Sequence, residues 1–309
     1  MSLVVVSSNR FADHVTPVGH PERPERAEVF NRIADEQRAR GGEVIEPRPA
    51  TDDDILRVHT RQHLDAMVSR RGKASMIDED TYTSPESEDV ARLAAGAVLT
   101  AIDRVLGGPS RSRALVMVRP PGHHAEADRA MGFCLYSNIA IGAAYARSRG
   151  CARVAIVDYD VHHGNGTQWI FYEDATVLFV SSHQYPFYPG TGAADERGRG
   201  AGDGFTLNIP LTVGTRDAEV ERLYGDRVAP TLRDFKPDVL LVSAGFDAHE
   251  QDPLGQLRMT TAGFGRLSKM LVDLADELCD GRIVFVTEGG YDLQAIEDCL
   301  REVIGVCEG

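Results

Sequence analysis

Val154-Ala-Ile-Val-Asp158-Tyr-Asp160-Val-His162-His163-Gly-Asn165-Gly166 joins a short β-branched run to a burst of polar residues that starts where the apolar run stops. A strand apolar on both faces has no side to offer to water, so it belongs in a sheet covered above and below. Residues 3–7, 114–118, 177–182, 239–244 and 283–287 read the same way. Amphipathic segments at 24–40, 88–106, 137–149, 217–235, 261–279 and 293–306 lie between them. The alternation predicts an α/β fold, with one domain over residues 1–309 and a mostly parallel central sheet flanked by helices on both faces.

In such sheets ligands bind beyond the carboxyl ends of the strands, so the residues just after each strand are the candidates for chemistry. They are Arg119-Pro-Pro-Gly-His123-His124, Asp158-Tyr-Asp160-Val-His162-His163-Gly-Asn165, Ser181-Ser182-His183, Gly245-Phe-Asp247-Ala-His249 and Glu288-Gly-Gly-Tyr291-Asp292. Asp160 and His162 stand two apart in an extended segment, so both side chains point the same way. Asp247 joins them from another strand end. Two carboxylates and one imidazole suit a catalytic Zn²⁺ that keeps positions open for water and substrate. Asp-x-His alone is common as a capped turn; its occurrence with His-His and Gly-Gly-Tyr on the same rim carries the argument. His163 and His183 are expected to be structural, hydrogen-bonded to backbone.

The chain has 309 residues, enough for one large core. With 33 basic and 47 acidic residues its net charge is −14, which repels nucleic acid and suits a cationic partner. The five cysteines are widely spaced with no Cys-x-x-Cys pair, which argues against a disulfide framework or a zinc knuckle and for a reducing compartment. The N-terminal run lacks a basic segment and a cleavage site, and no stretch reaches membrane-span length; a cytoplasmic protein with no membrane partner is expected. An oligomer stays open.

The strings RPPGHHA…GFC, VDYDVHHGNGTQ, PGTG, AGFDAHEQDPLG and EGGYD resemble the histone deacetylase family, a branch of the arginase and deacetylase superfamily, and are most similar to its class II and bacterial amidohydrolase members. The resemblance spans about residues 19–291. It implies a zinc-dependent deacylase acting on N-acetyl-lysine or related acylated amines, with Asp160, His162 and Asp247 as zinc ligands and His123 and His124 beside the reacting water. It pairs Asp158 with His123 and Asn165 with His124. Asn165, where other members carry Asp, cannot stabilise an imidazolium by charge, so His124 should stay neutral and act as base. The phenol of Tyr291 fits the oxyanion donor. The resemblance also implies substrate contacts at Phe133, Tyr188, Leu254 and Asp80, a product channel lined by Arg26, and a structural K⁺ held by Asp158, Asp160, His162, Ser181 and Ser182. Other readings stand beside two of these: Arg26 as a surface residue of a first helical turn, and Asp80 as part of a solvated acidic loop.

Two alternatives remain on the same residues. In a binuclear, arginase-type site the extra ligand positions would be Gly164, which cannot bind, and His249, which could. Acetylpolyamines or other small amides would be alternative substrates, because the rim decides substrate and the fold does not.

Overall fold

The structure is a computed structural model that describes residues 2–309. Its strands are β1 (Ser2–Val6), β2 (Glu43–Ile45), β3 (Ser75–Met76), β4 (Tyr82–Thr83), β5 (Ser112–Val116), β6 (Val154–Asp158), β7 (Val177–Gln184), β8 (Thr206–Leu211), β9 (Val239–Ala244) and β10 (Ile283–Thr287). The helices are α1 (Glu25–Ala39), α2 (Asp52–Ile55), α3 (Arg61–Val68), α4 (Ser87–Gly107), α5 (Asn138–Ser148), α6 (Asn165–Ile170), α7 (Asp217–Leu223), α8 (Ala229–Phe235), α9 (Thr261–Leu278) and α10 (Leu293–Glu308). Eight strands form one sheet in the order β2-β1-β5-β10-β9-β6-β7-β8, and every pairing in it is parallel. β3 and β4 form a separate antiparallel hairpin.

The apolar runs are apolar on both faces because both faces are packed. In β9, Leu240 and Val242 enter the core shared with α1 and α7 to α10, whereas Val239 and Leu241 enter the core shared with α4 and α5. Parallel register then aligns the strand ends: Asp158 stands opposite Ser181 on one side and Ser243 on the other, and Thr287 stands opposite Ala244. The polar residues after these positions therefore emerge on a common rim.

Three differences from expectation have physical reasons. The single helix expected at 217–235 is divided by a π-helical turn, Tyr224–Val228. Pro230 lacks the N–H that would close the preceding turn, and the buried Tyr224 hydroxyl reaches Ser182 Oγ at 2.9 Å, which favours the widened turn. Edge strands β2 and β8 escaped the pattern because an edge tolerates Glu43, Asn208 and Pro210, which a central strand would not. Strand β7 continues to Gln184 and so contains His183. No helix among the described residues is long and apolar enough to cross a membrane.

Candidate active site

One ligand atom from each of Asp160, His162 and Asp247 lies within 4.8 Å of the others. Neighbouring backbone fixes both carboxylates. Asp160 accepts the His162 N–H at 2.9 Å and the Gly289 N–H at 2.8 Å, and Asp247 accepts the Val161 N–H at 2.8 Å. His162 Nδ1 lies 3.2 Å from Asp160 Oδ1 and 3.1 Å from Asp247 Oδ2. A β-carbon at Gly289 would come within 2.1 Å of Asp247 Oδ2, so only glycine lets this backbone approach the carboxylates.

The electrostatics of this cluster fit a cation. Burial disfavours charge on His162, yet the hydrogen-bonded carboxylates Asp160 and Asp247 raise its pKa to about 10. Burial, followed by repulsion from Asp160, pushes Asp247 up to about 7. Two buried carboxylates around one ring nitrogen stabilise positive charge between them, and their number and type match a catalytic divalent site.

Two imidazoles stand beside this centre, His123 and His124, with ring centroids 4.0 Å apart. His123 Nδ1 pairs with Asp158 at 2.9 Å, and His124 Nδ1 meets Asn165 Oδ1 at 2.8 Å. Burial opposes a proton on His123, but the Asp160 and Asp158 carboxylates outweigh it and hold its pKa well above the usual imidazole value. Burial, reinforced by His123 and His162, holds His124 well below that value. Asn165 Nδ2 donates to Glu126 at 2.8 Å, so its oxygen faces His124 and accepts from Nδ1–H. The Nε2 lone pair of His124 is thereby left free.

The site opens through a cavity of about 200 Å³ lined by Asp80, Phe133, Phe187, Tyr188, Leu254 and Tyr291 together with His123, His124 and His162. Phe133 is held at φ +68°, strained for a non-glycine residue, with its N–H on Thr81 Oγ1 at 3.2 Å. Its ring stands edge-on to Tyr291 at 5.9 Å. Tyr188, half-exposed, stands edge-on to His124 at 5.2 Å. Asp80 is half-buried at the mouth and so belongs to the cavity wall as well as to the acidic loop. Burial, then repulsion from Asp247, keeps the Tyr291 phenol protonated far above its usual pKa.

Arg26 is fully buried, which corrects its reading as a surface residue. It bonds Glu22 at 3.0 Å and the carbonyls of Glu288 and Gly290 at 2.5 and 2.7 Å, and its guanidinium lies 5.4 Å from the Tyr291 ring. His249 is not in the Asp160, His162 and Asp247 group, and both its ring nitrogens are engaged, Nε2 at 3.1 Å from Thr261 and Nδ1 accepting from the Gln251 N–H, which favours a mononuclear centre. His163 is held by side chains, Thr191 and Gln168, where backbone was expected; His183 meets the Gly192 carbonyl at 2.9 Å and Ser181 Oγ at 2.9 Å. Ser182 Oγ pairs with Tyr224. Sequence reasoning missed Phe187, stacked on His162 at 5.3 Å, and the buried carboxylates Glu22 and Asp252, and it gave no role to the buried Glu288. The available signal was a charged or aromatic residue inside a motif whose other members already had roles.

Fold and site together define a class, a hydrolase built on a parallel sheet with a carboxylate and imidazole centre suited to a metal. The chain belongs to the histone deacetylase family: the model of the histone deacetylase domain matches residues 20–307. It is thus a hydrolase of the deacetylase and amidohydrolase kind. It is 40% identical to histone deacetylase 10, chloroplastic, of Oryza sativa subsp. japonica, over 92% of this chain and 68% of that protein. It is 39% identical to a probable deacetylase of Archaeoglobus fulgidus (94% and 81% covered) and 38% identical to the histone deacetylase-like amidohydrolase of Pseudomonas aeruginosa (94% and 77%). Among solved structures, the HDA15 HD domain superposes with a TM-score of 0.91 at 39% identity, covering 99% of this chain and 89% of that one.

Proposed function

We propose that residues 1–309 form one zinc-dependent deacylase domain that hydrolyses the amide of N-acetyl-lysine. The observation that carries this is the convergence of Asp160, His162 and Asp247 at one buried point on the rim. These three residues would hold the ion, which when bound supplies Lewis acidity to the amide carbonyl and acidifies water. His124, neutral and with Nε2 free, takes the proton of the attacking water and passes it to the departing amine nitrogen. His123, paired with Asp158, carries positive charge beside the developing oxyanion. The protonated phenol of Tyr291 donates to that oxyanion. Phe133 and Tyr188 flank the aliphatic stem of the substrate, and Arg26 lies behind Tyr291 where the acetate product would leave.

A structural K⁺ held around Asp158, Asp160, His162, Ser181 and Ser182 belongs to the same proposal. Its support is chemical: Asp158 at the end of β6 stands opposite Ser181 in the neighbouring β7, with Ser182 next in that strand and Asp160 and His162 just beyond β6, and these buried residues offer the oxygen-rich surroundings a hard cation takes. A cytoplasmic location suits the five cysteines, all free and buried. Leu254 on the cavity wall favours acyl-lysine over acetylpolyamines, since it offers no charge to a distal ammonium. The half-buried Asp80 carboxylate on the same wall favours the second reading, an acetylpolyamine substrate.

Metal content and acetyl-lysine turnover of wild type and Asp247→Ala test the proposal. One divalent ion per chain is expected in the wild type, with both ion and turnover lost in the variant. Full occupancy and intact activity in Asp247→Ala would overturn the ligand set.

A further inference from the structure

The phenol assigned to the oxyanion sits on a turn containing Gly289 and Gly290, the latter at φ +123°. Two consecutive glycines leave a backbone with little stiffness of its own, so groups outside the turn must set the direction of Tyr291. Asp160 takes the Gly289 N–H, the Phe246 N–H donates to the Gly289 carbonyl at 2.9 Å, and Arg26 donates to the carbonyls of Glu288 and Gly290. The amides of Tyr291 and Asp292 both donate to a single oxygen, Asp252 Oδ2, at 2.6 and 3.2 Å. The second oxygen, Oδ1, accepts the N–H of Leu254 at 2.9 Å. Asp252 is buried and does not line the cavity, so it touches the reaction only through what it holds.

A carboxylate here is expensive in electrostatic terms, because burial and the nearby Asp160 both disfavour its charge. No neutral side chain of this size does the same task. The three N–H groups reach the side chain from two directions, and each needs an acceptor. An asparagine offers one oxygen and would turn its NH₂ toward either Leu254 or the Tyr291 turn, leaving donor against donor.

We infer that Asp252 is a positioning residue for the proposed deacylase reaction, one carboxylate that locks the Tyr291 phenol in its donating position and ties it to the Leu254 wall of the substrate cavity. The inference rests on Tyr291 as oxyanion donor, and its test separates the two ideas.

The experiment compares wild type, Asp252→Asn, Tyr291→Phe and the double variant in kcat, KM and metal content, with hydrogen–deuterium exchange of residues 286–294 measured on metal-loaded and metal-free protein. Asp252→Asn should keep its metal and lower kcat by about tenfold to a hundredfold, the scale of a misplaced reacting group. In the Tyr291→Phe background the same change should lower kcat by less than about threefold, because a residue acting through the hydroxyl has nothing left to position. Exchange in the turn should be faster in Asp252→Asn with or without metal. Asp252→Glu, which retains the charge, should recover part of kcat and stands in if the asparagine variant does not fold. Equal losses of kcat in both backgrounds, or unchanged exchange, would overturn the positioning role while leaving Tyr291 intact. A wild-type rate in Tyr291→Phe would instead remove the oxyanion assignment, and the inference with it.

Discussion

Adjacent in the chain and 4.0 Å apart in space, His123 and His124 have their pKa values pushed in opposite directions by what faces them. The same dependence on partners governs Tyr291 and Leu254, and each yields a prediction. Tyr291→Phe deletes one hydroxyl from a buried ring, so metal content and fold should persist while kcat falls by roughly 10² to 10³, the scale for one oxyanion donor. Steady-state kinetics with a metal assay checks this, and an unaltered rate would remove Tyr291 from the mechanism. Leu254→Glu would place a carboxylate on the cavity wall, where a charge-assisted contact to a distal ammonium contributes about 1.5 to 3 kcal/mol. The ratio of kcat/KM for acetylspermidine to that for acetyl-lysine peptides should rise in the variant, with peptides preferred by the wild type. A wild-type preference for the polyamine would give the second reading first place.

Between elements, the buried carboxylate of Glu22 links the segment before α1 to the chain leaving β5 and to the turn after β10. It bonds Arg119 at 2.7 and 2.8 Å and Arg26 at 3.0 Å, and His14 lies 3.4 Å away. Burial would raise its pKa, but Arg119, His14 and Arg26 overcome that and hold it well below the ordinary carboxyl value of 4.5. Removing one partner of a buried ion pair typically destabilises by about 3 to 5 kcal/mol, which sets the expectation for Glu22→Gln. Because the folded pKa lies below the unfolded one, this stabilisation is complete above about pH 4.5 and is lost as pH falls through the folded value. His14 works in the same direction: burial lowers its pKa below 6.5, so acid must charge a group the fold keeps neutral. Denaturant unfolding of wild type and Glu22→Gln from pH 7 downwards should therefore show a stability gap that closes in acid. A gap constant down to the lowest pH would contradict the ion-pair account.

At the scale of the whole molecule, three residues following two strand ends would tie a bound cation to the stability of the sheet. An ion that binds only the folded chain stabilises it by about 2.7 kcal/mol when present at a hundredfold its Kd. Removing metal with a chelator should lower the melting temperature, and Zn²⁺ should restore it. Asp247→Ala should show neither shift; a melting curve indifferent to chelator in the wild type would argue against the centre. The net charge of −14 would add a long-range attraction for cationic substrates. Peptides carrying flanking lysines should accordingly show a KM that rises with salt, as screening shortens the reach of that field.

Much of this was legible in the chain. The central strands are apolar on both faces because helices cover both, and the rim residues follow them directly because parallel strands end together. That pattern is local, so the sheet, the strand-end motifs and the convergence of Asp160, His162 and Asp247 could be read without coordinates. The edge strands were not legible, since β2 is three residues with little burial and β8, though largely buried, carries Asn208 and Pro210, which an edge accommodates because only one of its sides is paired. Nor were the π-helical turn, the burial of Arg26, the engagement of His249 by Thr261 and Gln251, or the two oxygens of Asp252 facing three amides. Each depends on a through-space meeting of groups from separate segments, as when Arg26 reaches Glu288 across 262 residues of chain. Periodicity records which face of an element is buried, but only the packed tertiary structure decides which polar group lies opposite, and with it which proton is held and which backbone is locked.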